Sequence, residues 1–269
     1  MTNHNNRHYN GIAAEYTGIK PVHYIAISET AAFDIEGDLV EEAQICISVN
    51  GSEWATFMAS PQNLEAMALG FLANENIITS LADVRDIHIS RQKTCVDVWL
   101  HDLAKKRPRK FIITAGCGGG ITFDDLSAKH EPLQSNLTAS PKTLAKLMRD
   151  VHLGANLYRR ARGIHTAALA NTDGLLLQVE DIGRHNCMDK LRGLALMENI
   201  ETEGHILLTS GRISSEMINK ARRIGTPIVC SRTSPTTMSV ALAEAWNMTI
   251  VAYLRQDRMR VYTHPERIM

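Results

Sequence analysis

The chain has 269 residues, 44% of them hydrophobic and 22% charged, a globular balance that suits one large domain or two ordinary ones. Lysine plus arginine and aspartate plus glutamate number 29 each, so a net charge of +0 provides no overall field for nucleic acid or an anionic membrane. No stretch approaches about 18 apolar residues, which excludes a transmembrane helix. The first residues are rich in Asn and His and lack the apolar segment of a signal peptide, so we expect a disordered tail over 1–18 and a cytoplasmic protein.

The segment 19–135 is predicted to form a β-rich N-terminal domain. Alternating apolar residues indicate strands near 23–27, 43–49, 54–58, 87–89 and 94–100, with a further strand over 111–114. One helix is predicted over 61–74, with Ser60 as its N-cap and Pro61 in the first helical position.

The segment 136–269 has a different periodicity and is predicted to form a second domain. We expect a helix over 141–161 and then a hairpin of two strands over 164–170 and 175–180. Three strand-to-helix steps follow, with helices over 186–197, 214–224 and 235–246, and a last strand over 248–254. Alternating strands and helices favour a largely parallel sheet with helices on its faces and ligands at the carboxyl ends of its strands.

Each of the three strand-to-helix turns carries an arginine close to the start of a helix. The turns read DIGRHN at 181–186, TSGRISSE at 209–216 and SRTSPTT at 231–237. Arginine, glycine and hydroxyl side chains at a helix N-terminus form a cradle for phosphate groups. Arg184 and Arg212, each beside a glycine, are therefore candidate anion-binding residues together with Gly211. The serines Ser214, Ser215 and Ser234 are better explained as helix caps than as ligand contacts.

The end of the last strand supplies a second candidate binding segment, which consists of Tyr253, Leu254, Arg255, Gln256, Asp257 and Arg258. Aromatic and guanidinium faces stack on planar rings, so this mixture suits a ligand with a base and a diphosphate. A solvated basic hairpin is the alternative. His165 and His185 are candidate proton carriers near neutral pH, although a lone histidine is more often structural or exposed.

Five cysteines without close spacing argue against a disulfide framework and against a C-x-x-C zinc site, so reduced thiols are expected. Cys46, Cys95 and Cys230 lie in apolar, strand-like runs and are predicted core residues, while Cys187 follows a turn where it could line a site. Cys117 differs from these, because glycines flank it in TAGCGGG at 114–120. Glycines let such a loop move, so its thiol could be presented to two partners in turn.

Five separated blocks in this order carry a family resemblance: TAGCG at 114–118, GIHTAA at 163–168, EDIGRHN at 180–186, TSGRISSEM at 209–217 and VYTHP at 261–265. Over nearly its whole length after the tail, the chain resembles the formate dehydrogenase accessory sulfurtransferases, the FdhD family. The resemblance implies an α/β protein, α+β overall. Its C-terminal domain would be a cytidine-deaminase-like three-layer α/β/α domain without the deaminase zinc ligands, preceded by the smaller β-rich domain.

The resemblance also implies a function and a set of site residues. Cys117 would take sulfur from a cysteine desulfurase as a persulfide and pass it to the molybdenum or tungsten bis(molybdopterin guanine dinucleotide) cofactor before that cofactor enters formate dehydrogenase. The cofactor would bind at residues 253–258 as a sulfur acceptor, with no permanently bound cofactor, no metal site, and neither nucleic acid nor membrane as a partner. Two nucleotide halves suggest a symmetric homodimer that holds one half per subunit.

The chain departs from the family at one position of the cysteine loop. Many members have C-G-x-C, whereas this chain has Cys117, Gly118, Gly119 and Gly120. One thiol suffices for a persulfide, but a step that uses a partner thiol loses its support. Two alternatives stay open: a non-catalytic cofactor chaperone whose loop grips a phosphate, and a nucleotide deaminase, which needs zinc. The H-x-E at 264–266 lacks the accompanying P-C-x-x-C of zinc deaminases.

Overall fold

The computed structural model describes residues 17–92, 94–108, 112–113, 121–122, 130–256 and 258–269. Strands dominate the first half, and strands and helices alternate in the second. In chain order they are β1 (Ile19–Ile27), β2 (Ala32–Val40), β3 (Ala43–Val49), β4 (Ser52–Ala59), α1 (Leu64–Asn74), β5 (Val84–Ile89), β6 (Cys95–Leu100), β7 (Ile112–Ile113), β8 (Ile121–Thr122), α2 (Pro141–Gly154), α3 (Asn156–Ala161), β9 (His165–Ala170), β10 (Leu175–Asp181), α4 (Arg184–Met197), β11 (Ile206–Thr209), α5 (Ser215–Ile224), β12 (Ile228–Ser231), α6 (Thr237–Ala245), β13 (Thr249–Arg255) and β14 (Arg258–Val261).

The C-terminal sheet has the strand order β10-β9-β11-β12-β13-β14. Its pairing is more mixed than the sequence predicts, since β11, β12 and β13 pair in parallel while β9 and β14 are antiparallel to their neighbours. The reason is that a hairpin and a chain-end strand extend the parallel core at its two sides. Strands β10 to β13 still run the same way, so their carboxyl ends and the start of β9 meet at one edge.

Helices cover both faces of this sheet. On one face α2 buries Leu144, Leu147, Met148 and Val151, the spacing of an amphipathic helix. On the other face α4, α5 and α6 pack over a second core. The predicted helix over 141–161 is interrupted at Ala155, and α3 begins anew because the Glu180 carboxylate accepts hydrogen bonds from the N–H groups of Leu157 and Tyr158, both at 2.9 Å.

The N-terminal half contains a sheet of order β4-β3-β6-β5 that packs on α1. The helix begins at Leu64 and not at the predicted position 61, and its N-cap is Asn63 in the left-handed region at φ 52°. Ser60 is therefore not a helix cap. It is fully buried against the C-terminal half, where its N–H donates to Asp181 Oδ2 at 3.1 Å.

Helix α1 joins the two halves by packing directly on α4. The contact depends on two glycines, since a Cβ added at Gly70 would stand 1.7 Å from the carbonyl oxygen of Asp189, and one at Gly193 would stand 1.8 Å from that of Ala66. Two helix backbones touch here without intervening side chains, which fixes the N-terminal sheet against the C-terminal domain.

The hairpin of β1 and β2 was only half predicted, because β2 mixes its apolar residues with Asp34, Glu36, Gly37 and Asp38, which are rare in strands. Of the predicted tail over 1–18, the structure describes Thr17 and Gly18, whose N–H groups each donate to Glu41 at 2.8 Å.

The cysteine prediction was wrong for one pair. Cys46 and Cys95 are register partners on the parallel strands β3 and β6, with Cα atoms 4.4 Å apart, and they form a disulfide. Both side chains lie on the half-buried outer face of the sheet, because their neighbours Ile45, Ile47 and Val96 point into the core. Cys230 is buried as predicted.

Candidate functional site

A cavity of about 680 Å³ opens at the edge where the strand ends meet. We call it the strand-edge cavity; the polar residues that line it include Glu42, His152, His165, Ser210, Arg232 and Arg255. A second cavity of about 670 Å³ adjoins it and shares Met148, His152, Arg232 and Arg255. Both halves of the chain contribute to the first cavity, whose size falls in the range of small-molecule sites.

Arg232 is held at this edge by contacts of both its backbone and its side chain. It follows β12 directly, and its N–H lies 3.4 Å from the carbonyl oxygen of Thr209 at the end of the neighbouring strand. Its Nη1 lies 3.2 Å from Nδ1 of His152 in the last turn of α2. Because a guanidinium only donates, His152 accepts this hydrogen bond through an unprotonated Nδ1. The remaining guanidinium donors of Arg232 can face a ligand.

His165 and Ser210 form a polar pair in the cavity wall. The His165 Nδ1 lies 3.3 Å from Ser210 Oγ, and that oxygen also accepts the N–H of Thr166 at 3.0 Å. The backbone N–H of Ser210 in turn donates to the carbonyl oxygen of Thr166 at 2.9 Å. Burial lowers the pKa of His165, and the nearby charge of Arg184 lowers it further. His165 is therefore a neutral imidazole at pH 7.

The residues at the start of α4 stand behind the cavity and do not line it. Arg184 and His185 are 6% and 2% exposed, and neither is among the residues that line the two cavities. Gly211 lets Arg184 and His165 pack closely against the backbone, because an added Cβ would stand 3.1 Å from the Arg184 side chain and 3.3 Å from His165 Nδ1. Arg212 is exposed beside them.

His185 is a buried structural histidine. Its Nε2 lies 3.1 Å from Glu216 Oε2 and 3.4 Å from Ser214 Oγ. Burial, followed by the positive charges of Lys220 and Arg184, lowers its pKa to about 2. The neutral ring forms a hydrogen bond through Nε2 with Ser214, the N-cap of α5, and the Glu216 carboxylate lies beside it. These contacts fix the start of α5 against α4. His185 therefore does not act as a proton carrier that faces a ligand.

The predicted segment 253–258 divides into residues with different roles. Leu254 is buried in the core and also lines the second cavity, and the ring of Tyr253 lies 4.3 Å from the guanidinium of Arg260. Arg255 lines both cavities, Gln256 lines the second, and Arg258 is the exposed register partner of Arg255 on β14. Asp257 lies outside the described residues. Only part of the segment thus faces the cavities.

Cys117, the predicted sulfur carrier, also lies outside the described residues. Cys187 is fully buried, and burial raises the pKa of its thiol well above the usual value. It is a core residue and not a site residue. Among the described residues, no group of three or more His, Cys, Asp or Glu side chains is placed to hold a metal ion.

The architecture defines a mixed α/β protein whose strand-edge cavity is lined by arginine, histidine and hydroxyl side chains. A sequence model of the FdhD/NarQ family matches residues 40–269, and the chain belongs to this family. The family resemblance and the mixed α/β fold class are thereby confirmed. Within the part of the chain that the structure describes, no helix is both long and apolar enough to span a membrane.

Individual relatives agree with this assignment. The "Sulfur carrier protein FdhD" of Bacillus subtilis (strain 168) is 36% identical over 241 residues, which cover 87% of this chain and 91% of that protein. Its namesake in Staphylococcus aureus (strain MRSA252) is 34% identical over 242 residues, covering 88% and 91%. A crystal structure of a candidate formate dehydrogenase accessory protein from Desulfotalea psychrophila has a TM-score of 0.78 at 26% identity, and the match covers 93% of this chain and 99% of that one.

Sequence reasoning missed several cavity residues. Arg232 was noted as a turn arginine but was not included among the site residues, and Ser210 was interpreted only as part of a turn. Glu42 and His152 carry no local signal at all, since one lies between β2 and β3 and the other ends a helix. Their proximity to Arg232 arises from the tertiary fold.

Proposed function

We propose that this protein is a cytoplasmic sulfur carrier that serves formate dehydrogenase. In this proposal Cys117 receives sulfur from a cysteine desulfurase as a persulfide and passes it to a molybdenum or tungsten bis(molybdopterin guanine dinucleotide) acceptor before the acceptor enters the enzyme. The names of the relatives support the sulfur-carrying role. The strand-edge cavity supports the binding of a nucleotide-containing acceptor.

The observation that carries the proposal is the convergence of Arg232 and Arg255 with the hydroxyl of Ser210 in one cavity. Guanidinium groups bind diphosphates through several parallel N–H donors, and hydroxyls add donors at the same edge. Neutral His165 beside Ser210 offers an uncharged polar wall. These groups suit the diphosphate of a dinucleotide better than they suit an apolar substrate.

The first chemical step requires only a reactive thiolate. The Cys117 thiolate attacks the terminal sulfur of the donor's cysteine persulfide, the donor's sulfur–sulfur bond breaks, and the donor leaves as a thiolate. A new sulfur–sulfur bond forms at Cys117, so the step needs no added oxidant or reductant. Cys187 and Cys230 cannot substitute for Cys117, since burial raises the pKa of both thiols.

The test is the intact mass of the protein after incubation with a cysteine desulfurase and cysteine. Wild type should gain one sulfur atom that a reductant removes, Cys230→Ala should gain it too, and Cys117→Ser should not. No gain in the wild type with a competent donor would contradict the carrier function.

A non-catalytic cofactor chaperone is the second candidate, and Gly120 in place of the family's frequent second cysteine favours it. In that case the loop grips a phosphate and no sulfur moves. Formate dehydrogenase activity in cells that carry only Cys117→Ser separates the two functions, because a chaperone would still support the enzyme and a sulfur carrier would not.

The proposal includes a homodimer, because an acceptor with two guanine nucleotide halves matches two equivalent cavities related by a twofold axis. Light scattering of the purified protein should give twice the mass of the chain. A strictly monomeric species, with and without nucleotide, would remove the dimer from the proposal.

A further inference from the structure

The strand-edge cavity has two chemically different parts. Arg232 and Arg255 line both cavities, so they stand at the junction between them, whereas Glu42 lines only the first. Among the described residues that line the strand-edge cavity, Glu42 is the one carboxylate. A ligand that spans the first cavity therefore meets cations at the junction and a negative charge in the part near Glu42.

Glu42 differs sharply from its neighbour Glu41, although both lie between β2 and β3. Glu41 is 6% exposed, accepts two backbone N–H groups from Thr17 and Gly18, and pairs with Lys20 at 3.1 Å. Glu42 is exposed to the cavity, and the structure gives it no hydrogen bond or ion pair with any described residue. Glu41 thus holds the fold, while both Glu42 carboxylate oxygens are available to a ligand.

The wall of the strand-edge cavity also suits a planar, uncharged group. The rings of His152 and Tyr158 have centroids 5.9 Å apart, and both residues line the cavity together with Val40 and Ile164. Aromatic and apolar side chains pack well against a nucleobase. The base of a bound nucleotide can therefore lie near Glu42 while its phosphates reach Arg232 and Arg255.

A carboxylate discriminates among nucleobases by donor geometry. Guanine presents two adjacent donors, N1–H and the 2-amino group, which match two carboxylate oxygens as a guanidinium does. Adenine presents an acceptor at N1, which a carboxylate repels. Since Glu42 can only accept while it is ionised, it favours guanine and disfavours adenine.

We propose that Glu42 determines the base specificity of the strand-edge cavity by accepting the N1–H and 2-amino hydrogen bonds of a guanine nucleotide. This inference rests on the proposed function, which supplies the nucleotide, and adds the residue that selects its base. Glu42 thereby extends the site into the N-terminal half of the chain, and the site is complete only when the two halves are packed together.

The test is calorimetric titration of the full-length protein with guanosine, adenosine and xanthosine diphosphates. Wild type should bind the guanosine form at least about 10-fold more tightly than the adenosine form, the size expected for hydrogen bonds to a charged group. Glu42→Gln should weaken guanosine diphosphate about 10-fold or more and tighten xanthosine diphosphate, because its amide can donate to the 2-oxo group of xanthine. Glu42→Asp should keep the preference for guanine.

The control is Glu36→Gln, an exposed glutamate of β2 that lines neither cavity; it should leave all three affinities unchanged. If wild type binds guanosine diphosphate and Glu42→Gln keeps the same ratio of guanosine to xanthosine affinity, the role of Glu42 is overturned and the proposed function stands. If folded wild type binds none of the three nucleotides, both the nucleotide-acceptor function and this inference are overturned. Unchanged thermal midpoints verify that each variant is folded.

Discussion

The Nζ atom of Lys190 lies 2.6 Å from Oδ2 of Asp181, and neither side chain has exposed surface. The same Nζ donates to the carbonyl oxygen of Ser60 at 2.9 Å, while Asp181 accepts the N–H of Gly183 at 2.7 Å. The pair therefore ties three segments together: the chain before α1, the turn after β10, and helix α4. That turn leads directly to Arg184 and His185 at the start of α4, next to the strand-edge cavity.

Removing one partner of this buried pair should be strongly destabilising. Lys190→Met leaves the Asp181 carboxylate buried without its cation, which should lower the free energy of unfolding by about 3–5 kcal/mol. Urea unfolding of the purified variant measures the loss. Lys146→Met is the matched control, because Lys146 pairs with Asp150 at an exposed position and its loss should cost about 0–1 kcal/mol. Equal losses in the two variants would show that the Lys190 pair is not the link between the segments.

The crossing of α1 and α4 makes a steric prediction. Gly193→Ala places a methyl group 1.8 Å from the carbonyl oxygen of Ala66, so the helices must separate, and the thermal midpoint and soluble yield should fall markedly. Gly174→Ala is the control, since nothing lies within 4 Å of its added Cβ. Its stability should change by about 0.5 kcal/mol or less. A Gly193→Ala protein as stable as Gly174→Ala would mean that the helices can move apart at no cost.

Most C-terminal elements could be predicted from sequence because they carry their own periodicity or cap, whereas β14 and the break between α2 and α3 were not predicted. Ser140 accepts the N–H of Thr143 at the start of α2, and Ser214 accepts that of Met217 at the start of α5, as local patterns indicate. The start of α1 could not be predicted in this way. Ser60 is drawn into contacts with Asp181 and Lys190, which are 121 and 130 residues away, and Asn63 becomes the cap.

The candidate site was predicted only where its residues lie in the strand-to-helix turns and the last strand. His165 and Arg255 line the strand-edge cavity and Leu254 lines the second cavity, whereas Arg184 lines neither of them. Periodicity cannot tell a ligand-facing arginine from one buried beneath it. Glu42 could not be identified at all, since it follows β2, which packs on α3 in the C-terminal half and is held there by the Arg160–Asp38 ion pair.

The disulfide predicts a count of free thiols. Cys46 and Cys95 are joined, so denatured and alkylated protein should carry three labels before reduction and five after it, given five cysteines in the chain. Mass spectrometry of the alkylated protein gives the count directly. Cys46→Ser should expose Cys95 and give four labels under both conditions. Five labels on unreduced wild type would show that the purified protein holds both thiols reduced.

The low pKa of His185 predicts a loss of stability in mild acid. Burial, with Lys220 and Arg184 nearby, lowers the pKa from 6.5 to about 2 in the folded state. Below pH 6.5 the unfolded chain takes up a proton that the folded state excludes, so the stability present at pH 7 declines as pH falls toward 2. Between pH 7 and pH 5 this histidine should account for about 2 kcal/mol of the loss.

Urea unfolding at the two pH values, compared between wild type and His185→Gln, isolates that contribution. Glutamine can still form a hydrogen bond with Ser214, 3.4 Å from the histidine Nε2 in the wild type, but it does not titrate. The variant should therefore lose about 2 kcal/mol less than wild type on acidification. His88→Gln, at an exposed position on β5, should follow wild type. If His185→Gln loses as much stability as wild type, the acid sensitivity comes from other groups, and His185 already accepts a proton in the folded protein.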